Sequence, residues 1–193
     1  MTNAILEDAQ SLGFTQSSPD LTGNLLRTLA ASKPGGRFLE LGTGVGAATY
    51  WLLQGMDDTS SLVTVEQNAE QVTLAKRHLD ADSRVTFWLG DGLEFLRQTH
   101  DPFDFIFADT WPGKIHHPEL ALQLVKPGGF YIVDDMELGW MVEADLEADL
   151  PSELRSIWQG QRNLMDLLAT RDDFSCTRLD WSTGLMVCVR KEA

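Results

Sequence analysis

Five short apolar runs, each followed by a segment of helical periodicity, restrict this chain to few folds. The runs have the length of β-strands and are FLEL (38–41), SLVTV (61–65), RVTFWL (84–89), FDFIFA (103–108) and FYIVD (130–134). The segments between them carry apolar residues three and four positions apart, which is typical of a helix packed on one side. Strands that alternate with helices pair in parallel through right-handed crossovers. The sequence therefore predicts an open, mostly parallel α/β sheet with helices on both faces.

The end of the chain breaks this alternation. FSCTRLD (174–180) and GLMVCVR (184–190) are separated only by WST, a spacing that allows antiparallel pairing alone. We therefore expect a seven-stranded sheet that closes with an antiparallel hairpin. The acidic stretch 137–153 is expected to be an exposed loop or lid ahead of a helix at 152–170.

A chain of 193 residues has the length of one domain. We divide it into N-terminal helices (1–35), a core that binds the cofactor (36–135), and a lid, helix and closing hairpin (136–193). The cysteines, Cys176 and Cys188, lie in the last two strands and are expected to be small buried apolar residues rather than a disulfide or metal ligands.

Charge and hydropathy exclude several classes of partner. The formal net charge is −14, which would repel a phosphate backbone or an anionic membrane, and no basic cluster offsets it. There is no apolar run of about 18 residues and no signal-like N-terminus. We expect a cytoplasmic protein that acts on a small molecule. The oligomeric state stays open, with a homodimer among the options.

Three glycines at alternate positions follow the first apolar run: Gly42, Gly44 and Gly46. A turn between a buried strand and a helix needs positive φ angles and lets a ligand approach bare backbone, which favours a nucleotide-like cofactor. Close packing of the helix on the strand would also explain the glycines. Read as G-x-G-x-x-A, with Glu66 ending the second strand, the turn also fits a dinucleotide fingerprint.

Glu40 separates these possibilities, because it places an acid inside the first strand, two residues before the turn. A carboxylate there would repel a pyrophosphate and attract an ammonium group. The sequence therefore indicates a cofactor that carries a cation rather than phosphates.

The segments LELGTGVG (39–46), TVEQN (64–68) and LGDGLEF (89–95) together resemble the motifs of class I S-adenosylmethionine-dependent methyltransferases. The resemblance implies a Rossmann-like doubly wound fold, with S-adenosylhomocysteine as the product. It places the glycine turn against the methionine and ribose, Glu66 on the ribose hydroxyls, and Asp91 with Gly92 at the adenine edge. The cofactor-binding residues implied are Glu40, Gly42, Thr43, Gly44, Glu66, Gln67, Asp91, Gly92, Asp109, Thr110 and Trp111.

Carboxylates also follow the fourth and fifth strands, as Asp109 and the pair Asp134 and Asp135. The carboxyl ends of parallel strands meet at one edge, and hard oxygen ligands suit Mg²⁺ or Ca²⁺. This spacing is similar to that of the cation-dependent O-methyltransferases of the catechol and caffeoyl-coenzyme A type, which implies these three acids as metal ligands. In the alternative reading one acid of the pair faces solvent or caps a helix, and Asp109 serves as a turn residue or contacts the cofactor without a metal.

Methyl transfer to oxygen requires a deprotonated, well-oriented hydroxyl. The similar enzymes carry a lysine three residues after the metal-binding Asp, but Pro112 takes that position here. Lys114 follows two residues later, and the predicted catalytic residues are Lys114 and Asp109. His116 and His117 are substitutes for the base. Trp111 and Trp140 are candidates to sandwich a flat acceptor.

Three hypotheses follow for the function. The first is a cation-assisted O-methyltransferase acting on a small hydroxylated acceptor, with aromatic acceptors among the options. The second is a metal-independent N- or O-methyltransferase that acts on a small molecule. The third is a non-catalytic protein that binds a nucleotide cofactor, or a nucleotide-dependent oxidoreductase.

Overall fold

The fold is taken from a computed structural model that describes residues 2–11, 13, 20–142 and 144–192. The described strands form one seven-stranded sheet in the order β3-β2-β1-β4-β5-β7-β6. The strands β1 to β5 pair in parallel, and β7 runs antiparallel to both β5 and β6. The predicted fold class is thus confirmed. The strands are β1 Arg37–Leu41, β2 Ser61–Glu66, β3 Val85–Leu89, β4 Phe103–Ala108, β5 Val125–Val133, β6 Phe174–Leu179 and β7 Leu185–Arg190.

Helices cover both faces of the sheet, because successive side chains of a buried strand point to opposite sides. The helices are α1 Thr2–Ser11, α2 Asp20–Ala30, α3 Ala47–Gly55, α4 Ala69–Leu79, α5 Gly92–Gln98, α6 Pro118–Gln123, α7 Glu137–Met141 and α8 Ser152–Ala169. Leu39 and Leu41 of β1 pack in a cluster with α5, α6 and α8, whereas Phe38 packs in a second cluster with α1 to α4. Among the described residues, no helix combines the length and apolar character needed to span a membrane.

The fifth strand begins earlier than its apolar run predicts. It starts at Val125 rather than at residue 130 and runs through the Pro-Gly-Gly segment 127–129. A register shift makes this possible: Phe103 pairs with Val125, while Phe105 already pairs with Phe130. An irregularity of this kind accommodates extra residues in one strand without ending the pairing. The strand therefore continues through residues 127–129, although proline and glycine are typical of turns.

The acidic stretch after β5 is more regular than the exposed loop or lid that was predicted. It contains α7 and a 3-10 helix, Ala144–Asp149. Arg155 of α8 donates hydrogen bonds to the carbonyl oxygens of Glu147, Ala148 and Leu150, and the Trp158 indole donates to that of Val142 at 3.0 Å. These bonds tie the stretch to α8. The side chain of Trp140, predicted to sandwich an acceptor, lies outside the described residues.

The prediction for the two cysteines is wrong, because Cys176 and Cys188 form a disulfide. The register of β6 and β7 sets these residues directly opposite each other, with their Cα atoms 4.0 Å apart. Cys188 is buried and Cys176 is exposed. Only strand pairing brings the two thiols together, and spacing along the chain does not reveal it.

A buried carboxyl group joins β1, β2 and α3 beneath the glycine turn. Oε2 of Glu40 accepts hydrogen bonds from the hydroxyls of Thr49 and Thr64, each at 2.5 Å. The Thr64 hydroxyl lies 2.5 Å from that of Thr43, which extends the network into the turn. Glu40 is fully buried, and its Oε1 has no hydrogen-bond partner among the described residues. Burial raises the pKa of Glu40 to about 7, against the bonds from the two threonines, which lower it.

Replacing this carboxyl should change how stability depends on pH. The folded chain holds the Glu40 proton more tightly than the unfolded chain, where the pKa is near its ordinary 4.5. The free energy of unfolding should therefore fall as pH rises from about 4.5 to about 7 and then level off, by on the order of 3 kcal/mol. Glu40→Gln should remove most of that fall, as measured by urea unfolding at pH 5 and pH 8.

The matched control is Glu153→Gln, since Glu153 is an exposed acid in the first turn of α8. This variant should keep the pH dependence of the unmodified chain. If the free energy of unfolding fell as much between pH 5 and pH 8 in the Glu40→Gln variant as in the unmodified chain, the prediction would be contradicted.

Candidate active site

Backbone hydrogen bonds continue past the ends of the central strands and align the residues that follow them. The Gly42 amide donates to the carbonyl of Val65 at 2.9 Å, and the Asp109 amide donates to that of Leu41 at 2.9 Å. The Asp134 amide continues the row at 3.2 Å from the Ala108 carbonyl oxygen. The sheet order reverses between β1 and β4, and ligands bind open α/β sheets at such a point.

A cavity of about 330 Å³ opens at this edge. This volume lies within the range of small-molecule sites. The predicted cofactor residues that line it are Gly42, Glu66, Gln67, Asp91, Gly92, Thr110 and Trp111. The other four, Glu40, Thr43, Gly44 and Asp109, lie outside its lining, and Glu40 and Thr43 are buried beneath it. The ends of four strands thus contribute to one cavity.

The glycine turn has the left-handed backbone that its sequence predicts, with φ of 101° at Gly42, 51° at Gly44 and 91° at Gly46. Packing also requires two of these glycines. A Cβ on Gly42 would lie 3.0 Å from the Asp109 carbonyl oxygen, and a Cβ on Gly46 would lie 2.9 Å from Leu79 Cδ1. The glycines therefore allow close contact with β4 and α4 as well as access for a ligand.

Backbone amides hold the Glu66 carboxylate at the rim of the cavity. Its Oε2 accepts from the Gly44 amide at 3.1 Å, and its Oε1 accepts from the Asn68 amide at 2.9 Å. Each carboxylate oxygen has capacity for a further hydrogen bond. Glu66 can therefore accept hydrogen bonds from a pair of hydroxyls while it keeps its bonds from the Gly44 and Asn68 amides.

Asp91 caps α5, as predicted, by accepting a hydrogen bond from the Glu94 amide at 2.9 Å. Next to it, a Cβ on Gly92 would lie 2.8 Å from Cβ of Pro112. The loop after β4 therefore closes on the start of α5. The Trp111 ring is 46% exposed and meets the His116 ring edge-on at 5.3 Å, so one wall of the cavity is aromatic.

The acids after β4 and β5 come together with Lys114. The side chain of Lys114 is buried, at 6% exposure. Burial and the charges of Asp134 and Asp135 raise the pKa of Asp109 well above its ordinary value, and the Lys114 ammonium opposes that rise. Burial likewise raises the pKa of Asp134, against the Thr183 hydroxyl bond and the charge of Lys114. We call Asp109, Asp134 and Asp135 the acid cluster.

The structure does not support the predicted metal site at the acid cluster. Within the described ranges, no three or more His, Cys, Asp or Glu side chains are arranged to hold a metal ion. Oδ1 of Asp134 already accepts from the Thr183 hydroxyl and, at 2.8 Å, from the Asp135 amide. Asp135 has a left-handed backbone, with φ of 53°, and is exposed, whereas Asp134 is buried. This matches the alternative in which one acid of the pair faces solvent.

Two residues that support the acid cluster were missed in the sequence. Gln161 of α8 is buried, and its amide nitrogen donates to the Asp135 carbonyl oxygen. Thr183 lies in the turn between β6 and β7, and the Met136 amide donates to Gly184 of the same turn at 2.9 Å. Because β7 runs antiparallel to β5, this turn must lie at the carboxyl end of β5. The hairpin spacing could have revealed Thr183, but no local signal pointed to Gln161.

The two predicted substitutes for the base, His116 and His117, have different surroundings. His116 lines the cavity, whereas the His117 ring contacts the Glu119 carboxylate at 2.8 Å. His117 is half exposed. The structure therefore brings His116, but not His117, to the edge of the site.

A family model described as "Methyltransferase domain" matches residues 39–136, just over half of the chain. A protein of Mycobacterium avium (strain 104), provisionally named an O-methyltransferase, is 32% identical over 144 residues, which cover 70% of this chain and 64% of that protein. The chain thus spans a little under two thirds of that relative's length. A protein of Mycolicibacterium vanbaalenii with the same provisional name is 28% identical over 193 residues, which cover 97% of this chain and 82% of that protein.

Among solved structures, the O-methyltransferase from Bacillus cereus in complex with SAH is 25% identical to this chain. Its TM-score is 0.83, and the match covers 98% of this chain and 90% of that chain. The matched family region contains β2 to β5, the last three residues of β1 and every residue that lines the cavity. The chain therefore belongs to the class I S-adenosylmethionine-dependent methyltransferase family.

Proposed function

We propose that this protein transfers the methyl group of S-adenosylmethionine to a hydroxyl oxygen of a small molecule. The observation that carries the proposal is the cavity bounded by the glycine turn, Glu66 and Asp91, at the same sheet edge as the acid cluster and Lys114. The O-methyltransferase names of the relatives and the SAH in the Bacillus cereus structure support the cofactor and the reaction class.

In this proposal the cofactor lies along the carboxyl ends of β1 and β2. Glu66 accepts hydrogen bonds from the ribose hydroxyls, the glycine turn 42–44 lies against the methionine, and Gln67, at the end of β2, lies beside the ribose. The adenine lies among Asp91, Gly92, Thr110 and Trp111, which line the same cavity. Glu40 and Thr43 act from beneath, because their hydrogen-bond network holds the turn rather than lining the cavity.

The chemistry is an in-line displacement at the sulfonium methyl. The acceptor hydroxyl gives its proton to a carboxylate of the acid cluster, and an oxygen lone pair forms the new bond to the methyl carbon. The electron pair of the breaking carbon–sulfur bond goes to sulfur, which becomes the neutral thioether of S-adenosylhomocysteine. Asp109 is the candidate base, since its backbone lies against the glycine turn at the edge of the cavity, and burial raises the pKa of its carboxyl group, which makes the carboxylate a stronger base.

A methyltransferase that acts on an amine is the second candidate. The carboxylates of the acid cluster can attract a cationic acceptor as well as a neutral hydroxyl. A methyl-transfer screen of catechols, phenylpropanoids and amines, with magnesium and with chelator, separates the two acceptors. Transfer to amines alone would replace the hydroxyl proposal with this one.

The assignment of Glu66 predicts weaker cofactor binding when its carboxylate is removed. Hydrogen bonds to a charged group contribute roughly 1.5–3 kcal/mol, so Glu66→Ala should raise the Kd for S-adenosylhomocysteine by about 10- to 150-fold. Isothermal titration calorimetry measures this directly. Glu70→Ala is the control, since Glu70 is an exposed acid on α4 outside the cavity lining, and it should bind normally. Unchanged affinity in a folded Glu66→Ala variant would remove Glu66 from the site.

The assignment of Asp109 predicts a loss of turnover with little loss of cofactor affinity. A positioned base contributes roughly 10²- to 10⁴-fold, so Asp109→Asn should lower kcat by that factor for an acceptor identified in the screen. The control is Asp101→Asn, an exposed acid just before β4. Full turnover in the Asp109→Asn variant would show that another group takes the proton.

A further inference from the structure

Lys114 is buried, and its charge acts on Asp109 and Asp134, two of the three acids that the sequence predicted as metal ligands. We infer that the Lys114 ammonium occupies the place of a divalent cation at the acid cluster and holds the acceptor oxygen there. This inference rests on the proposed methyl transfer for its chemical role.

The loop after β4 is anchored in the core immediately before Lys114. Gly113 has φ of 74°, and a Cβ there would lie 2.6 Å from Leu41 Cδ1, so this backbone passes directly against β1. The buried Tyr131 hydroxyl donates to the Gly113 carbonyl oxygen at 2.5 Å. The residue that follows is therefore held against the carboxyl ends of β1 and β5.

The other side of the loop is equally constrained. The amides of Lys114, Ile115 and His116 all donate to the Trp111 carbonyl oxygen, at 3.3, 2.9 and 2.8 Å. Ile115 then packs on α8, where a Cβ on Gly160 would lie 2.3 Å from Ile115 Cγ2. Lys114 is thus presented by a rigid loop, and its 6% exposure is set by packing on both sides.

The charges of this region offset one another. Besides burial, the charges of Asp134 and Asp135 raise the pKa of Asp109, and the charge of Asp135 also raises the pKa of Asp134. In the part of the chain that the structure describes, Lys114 is the cation whose charge lowers the pKa of both Asp109 and Asp134. A buried ammonium is itself unfavourable without carboxylate partners. The lysine and the acids therefore stabilise one another.

A divalent cation would meet two obstacles here. The ammonium would repel it, and Oδ1 of Asp134 already accepts hydrogen bonds from the Thr183 hydroxyl and the Asp135 amide. The ammonium can instead donate a hydrogen bond to an acceptor oxygen and stabilise the negative charge that develops there. Since an ammonium does not need two oxygens to chelate it, a single hydroxyl on the acceptor is enough.

Binding of Mn²⁺ alone tests the inference without an identified acceptor. The chain, freed of metal with chelator and saturated with S-adenosylhomocysteine, is titrated with Mn²⁺ and followed by electron paramagnetic resonance. We expect weak binding to the unmodified chain and binding of one Mn²⁺ per chain at least about tenfold tighter in Lys114→Met, whose side chain fills the same space without the charge. The double variant Lys114→Met with Asp134→Asn should lose the added affinity.

Lys76→Met is the matched control, since Lys76 is an exposed lysine on α4. It should bind Mn²⁺ as weakly as the unmodified chain. The inference is overturned if the unmodified chain binds one Mn²⁺ tightly through Asp109, or if folded Lys114→Met gains no affinity. If Lys114→Met does not fold, Lys114→Gln replaces it. Binding of S-adenosylhomocysteine, measured separately by calorimetry, tests the proposed function, so the two can fail independently.

Discussion

The parallel register of β1, β4 and β5 is the constraint on which the site depends. Its hydrogen bonds extend one residue past the strands, from Asp109 to Leu41 and from Asp134 to Ala108. This extension places carboxylates side by side although they are distant in sequence. The same pairing sets the Asp109 backbone against Gly42, so that the turn and the acid cluster share one edge. A slip in register would separate the cavity from the acid cluster.

Burial determines the electrostatics of this edge. Glu40, Asp109 and Asp134 all have raised pKa values, and burial is the largest cause for each. The fold offsets the cost of burying them with threonine hydroxyls at Glu40 and Asp134, and with the charge of Lys114 at the acid cluster. A positively charged cofactor would add to this compensation, which explains why an acidic edge suits a sulfonium rather than a diphosphate.

Much of the fold was predictable because it depends on local patterns. The strand and helix types, the antiparallel closing hairpin and the cap at Asp91 all follow from periodicity and turn chemistry. The start of β5 was not predictable, since a register shift carries Pro127 and two glycines into the strand. The disulfide was missed for a related reason. Cys176 and Cys188 meet only through the pairing of β6 with β7.

The sequence by itself determined which residues end each strand, and therefore that Glu66, Asp91, Asp109 and Asp134 would approach one edge. Only the tertiary structure decided what those groups can bind. Thr183, 49 residues away in sequence, occupies a carboxylate oxygen of Asp134, and loop packing buries Lys114 beside the acids. The physical reason is that the ends of the strands are set by local apolar patterns, whereas the partners of a buried charge are set by contacts between distant segments.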